Sequence, residues 1–166
     1  EGLGALNFLA IDDIPVSNEG EILDEQSVIA LSKINGHLRF PRFEAKPEDP
    51  FVEQIRKSEK RWIIATDEDK NPLLVLDGNA FLRAILDPHK EYTNVYDYCH
   101  KPIVVKDRNT RLGEAITQFT VEAVSDEDDV IDHDIILVWG EGEKRVITGA
   151  DLLGRLFRGI VKRKTI

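Results

Sequence analysis

At 166 residues, with 42% hydrophobic and 32% charged residues, the chain is long enough for one good core or for two small units sharing one. Its formal net charge of −9 argues against nucleic acid, whose phosphates call for basic surface. No apolar run approaches the ~18 residues of a membrane span, no signal-peptide pattern is present, and a lone Cys99 excludes an internal disulfide and fits a reducing compartment. The chain has no methionine and begins at Glu1, so it is expected to be a fragment of something longer.

In chain order, residues 1–38 read as a lead-in segment that packs on the main body. Leu3, Leu6, Phe8, Leu9 and Ile11 have roughly helical spacing that breaks at Asp12-Asp13-Ile14-Pro15. Ile22 to Leu31 fits strand or helix equally, and Asn35-Gly36 is a strong hairpin signal. From Arg39 the pattern is cleaner. Phe43-Glu44-Ala45 reads as a short extended piece, and Phe51, Val52 and Ile55 mark one face of a helix. Trp62 to Thr66 and Leu73 to Leu76 form an apolar hairpin, and Asp77-Gly78-Asn79 opens a helix carrying Phe81, Leu82, Ile85 and Leu86. The order is strand, helix, strand, strand, helix.

The same order returns. Pro102 to Val105 is a strand, and Leu112, Ala115, Ile116 and Phe119 form a helical face with Thr110 or Asn109 as its cap. Ile135 to Trp139 and Arg145 to Ile147 are strands. Leu152, Leu153, Leu156, Phe157 and Ile160 line a final helix, with Arg158, Lys162, Arg163 and Lys164 at its end, where the dipole favours cations. Lys46 matches Lys106, and Ala80-Phe81-Leu82 matches Asp151-Leu152-Leu153. The second copy therefore carries an insertion within residues 120–133, rich in acids. Each copy is too small to bury its hydrophobic face alone and should pair with the other.

The turn Thr148-Gly149-Ala150-Asp151 places a hydroxyl and a carboxylate three residues apart at a helix start. That pattern is a variant of the capping box. It also suits a ligand, because free N–H groups and the helix dipole favour an anion there. Thr148 can add a hydroxyl hydrogen bond to a phosphate, and Asp151 can take the hydroxyls of a ribose. The matching turn, Asp77 to Ala80, lacks the pair while sharing the architecture, so a cap serving only the fold does not require it.

The twofold strand-helix-strand-strand-helix unit, with Pro102-Ile103-Val104-Val105, Ile135 to Val138, Val146-Ile147 and above all Thr148-Gly149-Ala150-Asp151, resembles a tandem pair of CBS domains, a Bateman module. The resemblance covers roughly Leu38 to Gly159. It implies an α/β (α+β) fold of two β-α-β-β-α repeats packed with pseudo-two-fold symmetry, residues 39–98 forming the first repeat with its connector and residues 99–166 the second. It further implies a non-catalytic regulatory module, needing no cofactor, that binds AMP, ADP, ATP or S-adenosylmethionine. In that family a Gly-x-x-Thr-x-x-Asp ending has threonine on phosphate and aspartate on ribose. Here Arg145 stands where glycine is common, which either adds a phosphate-binding cation or tunes the site to another ligand. The adenine pocket falls, by resemblance, on Lys101, Pro102, Ile103 and Val104. In the first copy Asp77 would repel a phosphate, so at most one occupied site per chain is expected. The resemblance also implies a homodimer in the cytoplasm, with an attached effector. The lead-in resembles the segment before such pairs in bacterial membrane transport proteins. The alternative is a ligand-free dimerisation scaffold with degenerate sites.

Competing constellations are weaker. The acidic stretch Glu122 to Asp134 has carboxylates that suit Mg²⁺ or Ca²⁺, yet lacks the glycine and terminal glutamate of a Ca²⁺ loop. A solvated loop is its default reading, and His133 within it reads as a surface histidine paired with Asp132 or Asp134. Cys99 reads as a half-buried structural cysteine rather than a nucleophile. No Ser-His-Asp or Cys-His arrangement and no Gly-x-x-x-x-Gly-Lys loop supports an enzyme.

Overall fold

The structure, a computed structural model, describes residues 12–87, 89, 94–118 and 134–158. The expectations placed on residues 1–11, on Phe119, on the acidic insertion through His133 and on Ile160 to Lys164 lie outside that set, as does the side chain of Arg158. The described chain is a mixed α+β fold in two compact units.

The chain enters through a 3₁₀ turn at Val16–Asn18 and strand β1 (Glu21–Leu23). Strand β2 (Val28–Ala30) follows, then the hairpin β3 (Ser32–Ile34) and β4 (His37–Arg39). Asn35 (φ 51°) and Gly36 (φ 84°) both occupy the left-handed region, the two-residue geometry that the Asn-Gly pair predicts. Helix α1 (Pro50–Ser58) is started by Asp49, whose carboxylate accepts the N–H groups of Phe51 (2.9 Å) and Val52 (3.2 Å), with proline at the position whose N–H has no helical partner. Strand β5 (Trp62–Thr66) is buried along its whole length and joins β6 (Pro72–Asp77) in a hairpin. Asp67 closes that turn by accepting from the N–H groups of Asp69 and Asn71. Helix α2 (Gly78–Ile85) follows directly, then a 3₁₀ turn at Val95–Tyr98 and β7 (Cys99–His100). The sheet order is β2-β5-β6-β7, with β2 parallel to β5. Its core packs Ile29, Ile63, Ala65 and Leu76 against Phe51, Val52, Ile55 and Phe81.

Phe43 to Ala45 is not the first strand of this unit; Val28–Ala30 is. The Glu44 N–H donates to Asp49 (2.9 Å) instead of to a strand neighbour, while the Phe43 ring packs on Phe51 and Phe81, both at 5.5 Å between centroids. An apolar residue flanked by polar ones reads the same in either setting, because burial of one ring does not require a ladder.

The second unit contains β8 (Ile103–Val105), α3 (Leu112–Ile116), β9 (Ile135–Val138), β10 (Lys144–Thr148) and α4 (Gly149–Arg158). Its order is β8-β9-β10-β1, again with the first pair parallel. Val16, Ile103, Val105, Leu112, Ile136, Val138 and Ile147 form its core. The expected cap of α3 at Thr110 or Asn109 is absent: Arg111 precedes the helix with no side-chain cap. The Leu112 N–H donates instead to the Ile14 carbonyl (2.7 Å), and Val16 N–H to the Thr110 carbonyl (2.9 Å), so the N-terminal segment serves as the cap.

The described part of the expected lead-in, residues 12–38, is therefore no separate segment. Residues 14–23 belong to the second unit, while β2 to β4 belong to the first. The repeat is also longer than its sequence suggests. In each copy a 3₁₀ turn with a buried valine, Val16 or Val95, leads into a short strand that completes the other copy's sheet. Gly20 makes the first of these crossings feasible. It sits at φ 73°, and a Cβ there would lie 2.1 Å from the Val146 carbonyl oxygen.

Candidate functional site

The hairpin register fixes where the singled-out residues lie. Ile136 pairs with Ile147 on one side and with Ile103 on the other, so Ile103 and Ile147 flank it about 10 Å apart. Thr148 pairs with Ile135 at the same end of the sheet, and Asp134 immediately precedes that partner. Alternation along the strands puts Thr148 and Val104 on one face and Ile103, Ile136 and Ile147 on the other. Ile103 is 6% exposed and belongs to the core, whereas Val104, at 37%, is open. Lys101 is exposed and Pro102 buried in the connection leading into β8, which belongs to the first unit.

Thr148 and Asp151 do meet. The Thr148 N–H and its hydroxyl both donate to the same carboxylate oxygen of Asp151, each at 2.8 Å. The carboxylate reaches back to the residue before the helix, as in a capping box, and it sits over the positive end of the helix dipole. The hydroxyl's one proton is spent on Asp151, so Thr148 has none to offer a phosphate in this arrangement. One Asp151 oxygen remains for an incoming hydroxyl donor.

Arg145 stands apart from this pair. It pairs with Val138 and Ile22, three residues back along β10 from Thr148. Its guanidinium is held by Glu143 (2.6 Å) and by the backbone carbonyls of Glu19 (3.3 Å) and Gly20 (3.4 Å). It ties β10 to the segment entering β1. Glu19 is 6% exposed and ion-paired with Arg155 of α4, which fastens the same segment from the other side. Neither anchor was legible, because Glu19 lies more than a hundred residues away from both arginines.

The equivalent turn of the first copy is built from a carboxylate and an arginine. Asp77 caps α2 by accepting the Ala80 N–H (2.9 Å), and its second oxygen takes Arg61 at 3.3 Å. Trp62 pairs with Asp77 as Ile135 pairs with Thr148, so Arg61 corresponds to Asp134. The Asp77 carboxylate expected to repel phosphate in the first copy is thus paired with its own arginine.

No family description and no curated protein matches this chain. Among solved structures it is similar to an uncharacterized conserved protein from Pyrococcus horikoshii, at 14% identity and a TM-score of 0.40, covering 93% of this chain and 98% of that one.

The remaining candidates are quickly placed. Burial, and secondarily Asp97, push the Cys99 thiol up to about 12, and the thiol donates to the Val95 carbonyl (3.4 Å). It is buried rather than half-buried, and it stays protonated at neutral pH. Among the described residues no group of three or more His, Cys, Asp or Glu side chains could hold a metal ion, and no helix is long and apolar enough to cross a membrane.

Proposed function

We propose that this chain is a non-catalytic regulatory module of the CBS-pair type, which senses an adenosine-type ligand at the Thr148–Asp151 turn. The observation that carries the reading is the paired architecture: two units with the same strand and helix order, of which only the second has a hydroxyl and a carboxylate at its final turn. Asp151 would accept ribose hydroxyls. The Thr148 hydroxyl proton is already given to Asp151, and the Asp151 carboxylate is negative, so the turn suits a cationic group better than a phosphate. Within the expected set this ranks S-adenosylmethionine, whose sulfonium and amino groups are positive, above AMP, ADP and ATP. Ribose binding would exchange the Thr148–Asp151 hydrogen bonds for bonds to the ligand.

A ligand-free scaffold is the second reading, favoured by one specific observation: the Thr148–Asp151 pair is satisfied without any ligand and works as a cap. Both readings include a cytosolic homodimer joined to an effector such as a membrane transport protein. The exposed Leu153 (54%) and Phe157 (56%), one turn apart on α4, supply an apolar stripe for self-association. Isothermal titration of the whole chain with S-adenosylmethionine, AMP, ADP and ATP, alongside its mass in solution, separates the two. Saturable binding of S-adenosylmethionine that Asp151→Ala abolishes is the expected result. A folded dimer that binds none of the four establishes the scaffold instead.

A further inference from the structure

The first unit carries a surface cleft of about 490 Å³ lined by Arg61, Asn79, Leu82 and Arg83. That size lies within the range of small-molecule sites, roughly 300–1,000 Å³. Two of its four lining residues are arginines, in a chain whose formal net charge is −9. Surface arginines usually sweep through many rotamers, and ordering them costs entropy. Here both are anchored in advance. The Arg61 guanidinium donates from Nε (3.4 Å) and Nη2 (3.3 Å) to Asp77, and lies over the Trp62 ring, 4.5 Å from its centroid. Arg83 donates from Nε to the Asn79 carbonyl (3.3 Å), one turn earlier on α2. Among the described residues, the terminal nitrogens of Arg83 meet no acceptor.

The anchoring partners take each guanidinium by its inner edge. Asp77 is mostly buried, its side chain 13% exposed, whereas Arg61 is 55% exposed. The carboxylate thus sits beneath the arginine rather than in the cleft, and one negative charge faces two positive ones. Planar guanidinium forks held in this way match an oxyanion better than a freely moving ammonium would. Asn79 adds an amide donor at the start of α2, and Leu82 offers an apolar surface for whatever the anion is attached to.

We propose that this cleft binds the phosphate group of a small phosphorylated molecule, with Arg61 and Arg83 as its two cationic arms. The site lies outside the Thr148–Asp151 turn and does not depend on it. The chain then separates two chemistries: hydroxyl and cation recognition at the turn of the second copy, oxyanion recognition in the first.

The test is a ¹H–¹⁵N NMR titration of the full chain, following the arginine Nε–Hε signals, with inorganic phosphate and separately with AMP. Saturable shifts of the Arg61 and Arg83 signals with both probes are expected. Arg83→Gln, an exposed change, should weaken phosphate about tenfold, the worth of one charge-assisted hydrogen bond. Thr148→Ala and Asp151→Ala should leave phosphate binding unchanged. Shifts that rise linearly and are matched by chloride at equal ionic strength would overturn the site, as would phosphate binding indifferent to Arg83→Gln. AMP binding lost in Asp151→Ala but retained in Arg83→Gln would overturn it too, while leaving the adenosine reading intact. Saturable phosphate with no response to S-adenosylmethionine would sink the adenosine reading and keep this one.

Discussion

The same position in the two copies, Asp77 and Thr148, shows how one residue sets the chemistry of a turn. Each starts the last helix of its unit, and each is satisfied locally, but through different partners. Asp77 spends one oxygen on the Ala80 N–H and the other on Arg61. Thr148 gives both its protons to Asp151. Sequence comparison found the difference but not the Asp77–Arg61 pair, because that arginine is sixteen positions away, just before β5. Cys99 belongs at this scale as well. With the thiol pushed up to about 12, thiolate is scarce at neutral and mildly alkaline pH. Iodoacetamide at pH 8 should leave the native chain unmodified and label it fully in urea. Rapid labelling of the folded protein would contradict the burial assigned here.

At the level of elements, most of what could be read was read from periodicity. The hairpin of β5 and β6, the hairpin at Asn35-Gly36 and the helices α1, α2 and α4 follow directly from apolar spacing and turn residues. What escaped were elements made by distant backbone. Val28–Ala30 is too short to show a period, and becomes a strand because Ile64 to Thr66 offers it a parallel edge. The start of α3 carries no cap in its own sequence, because Ile14 supplies the acceptor. The carbonyl partners of Arg145 escaped for the same reason, being invisible from β10. Helix α1 is the opposite case, specified by neighbours alone. The Glu44 N–H, followed by those of Val52 and Phe51, holds the Asp49 carboxyl below its ordinary value of 3.8. A depressed carboxylate contributes stability above its unfolded value, and that contribution is lost as pH falls through the folded one. The melting temperature should therefore drop as the pH falls below the ordinary value of 3.8. Asp49→Asn should flatten that drop while lowering the neutral melting temperature by a few degrees. Asp49→Ala should lower it further, since asparagine still caps the helix but cannot accept all three N–H groups. An acid limb identical in Asp49→Asn and the parent would remove Asp49 from the account.

For the molecule as a whole, the division into two units does not follow the chain. Each unit is assembled from separated segments, and the boundary first placed at residue 38 cuts through the first unit's own strands. The α+β class and the duplication were legible because they live in the order of elements. The exchange of leading strands was not, because β1 and β7 are three and two residues long and carry no pattern of their own. That exchange has a consequence for a chain that has been cut. A break between α2 and β7 yields two fragments, each lacking one edge strand of its own sheet and each carrying the strand the other lacks. Such halves are poor folders by themselves and natural partners for one another. Expressed separately and mixed, they should reconstitute the native circular dichroism spectrum, whereas a front half trimmed to begin at Ser27, without β1, should fail to rescue the back half. The chain is in this sense its own complementation pair, and the peptide bond between the halves keeps together two pieces that strand pairing would bring together without it.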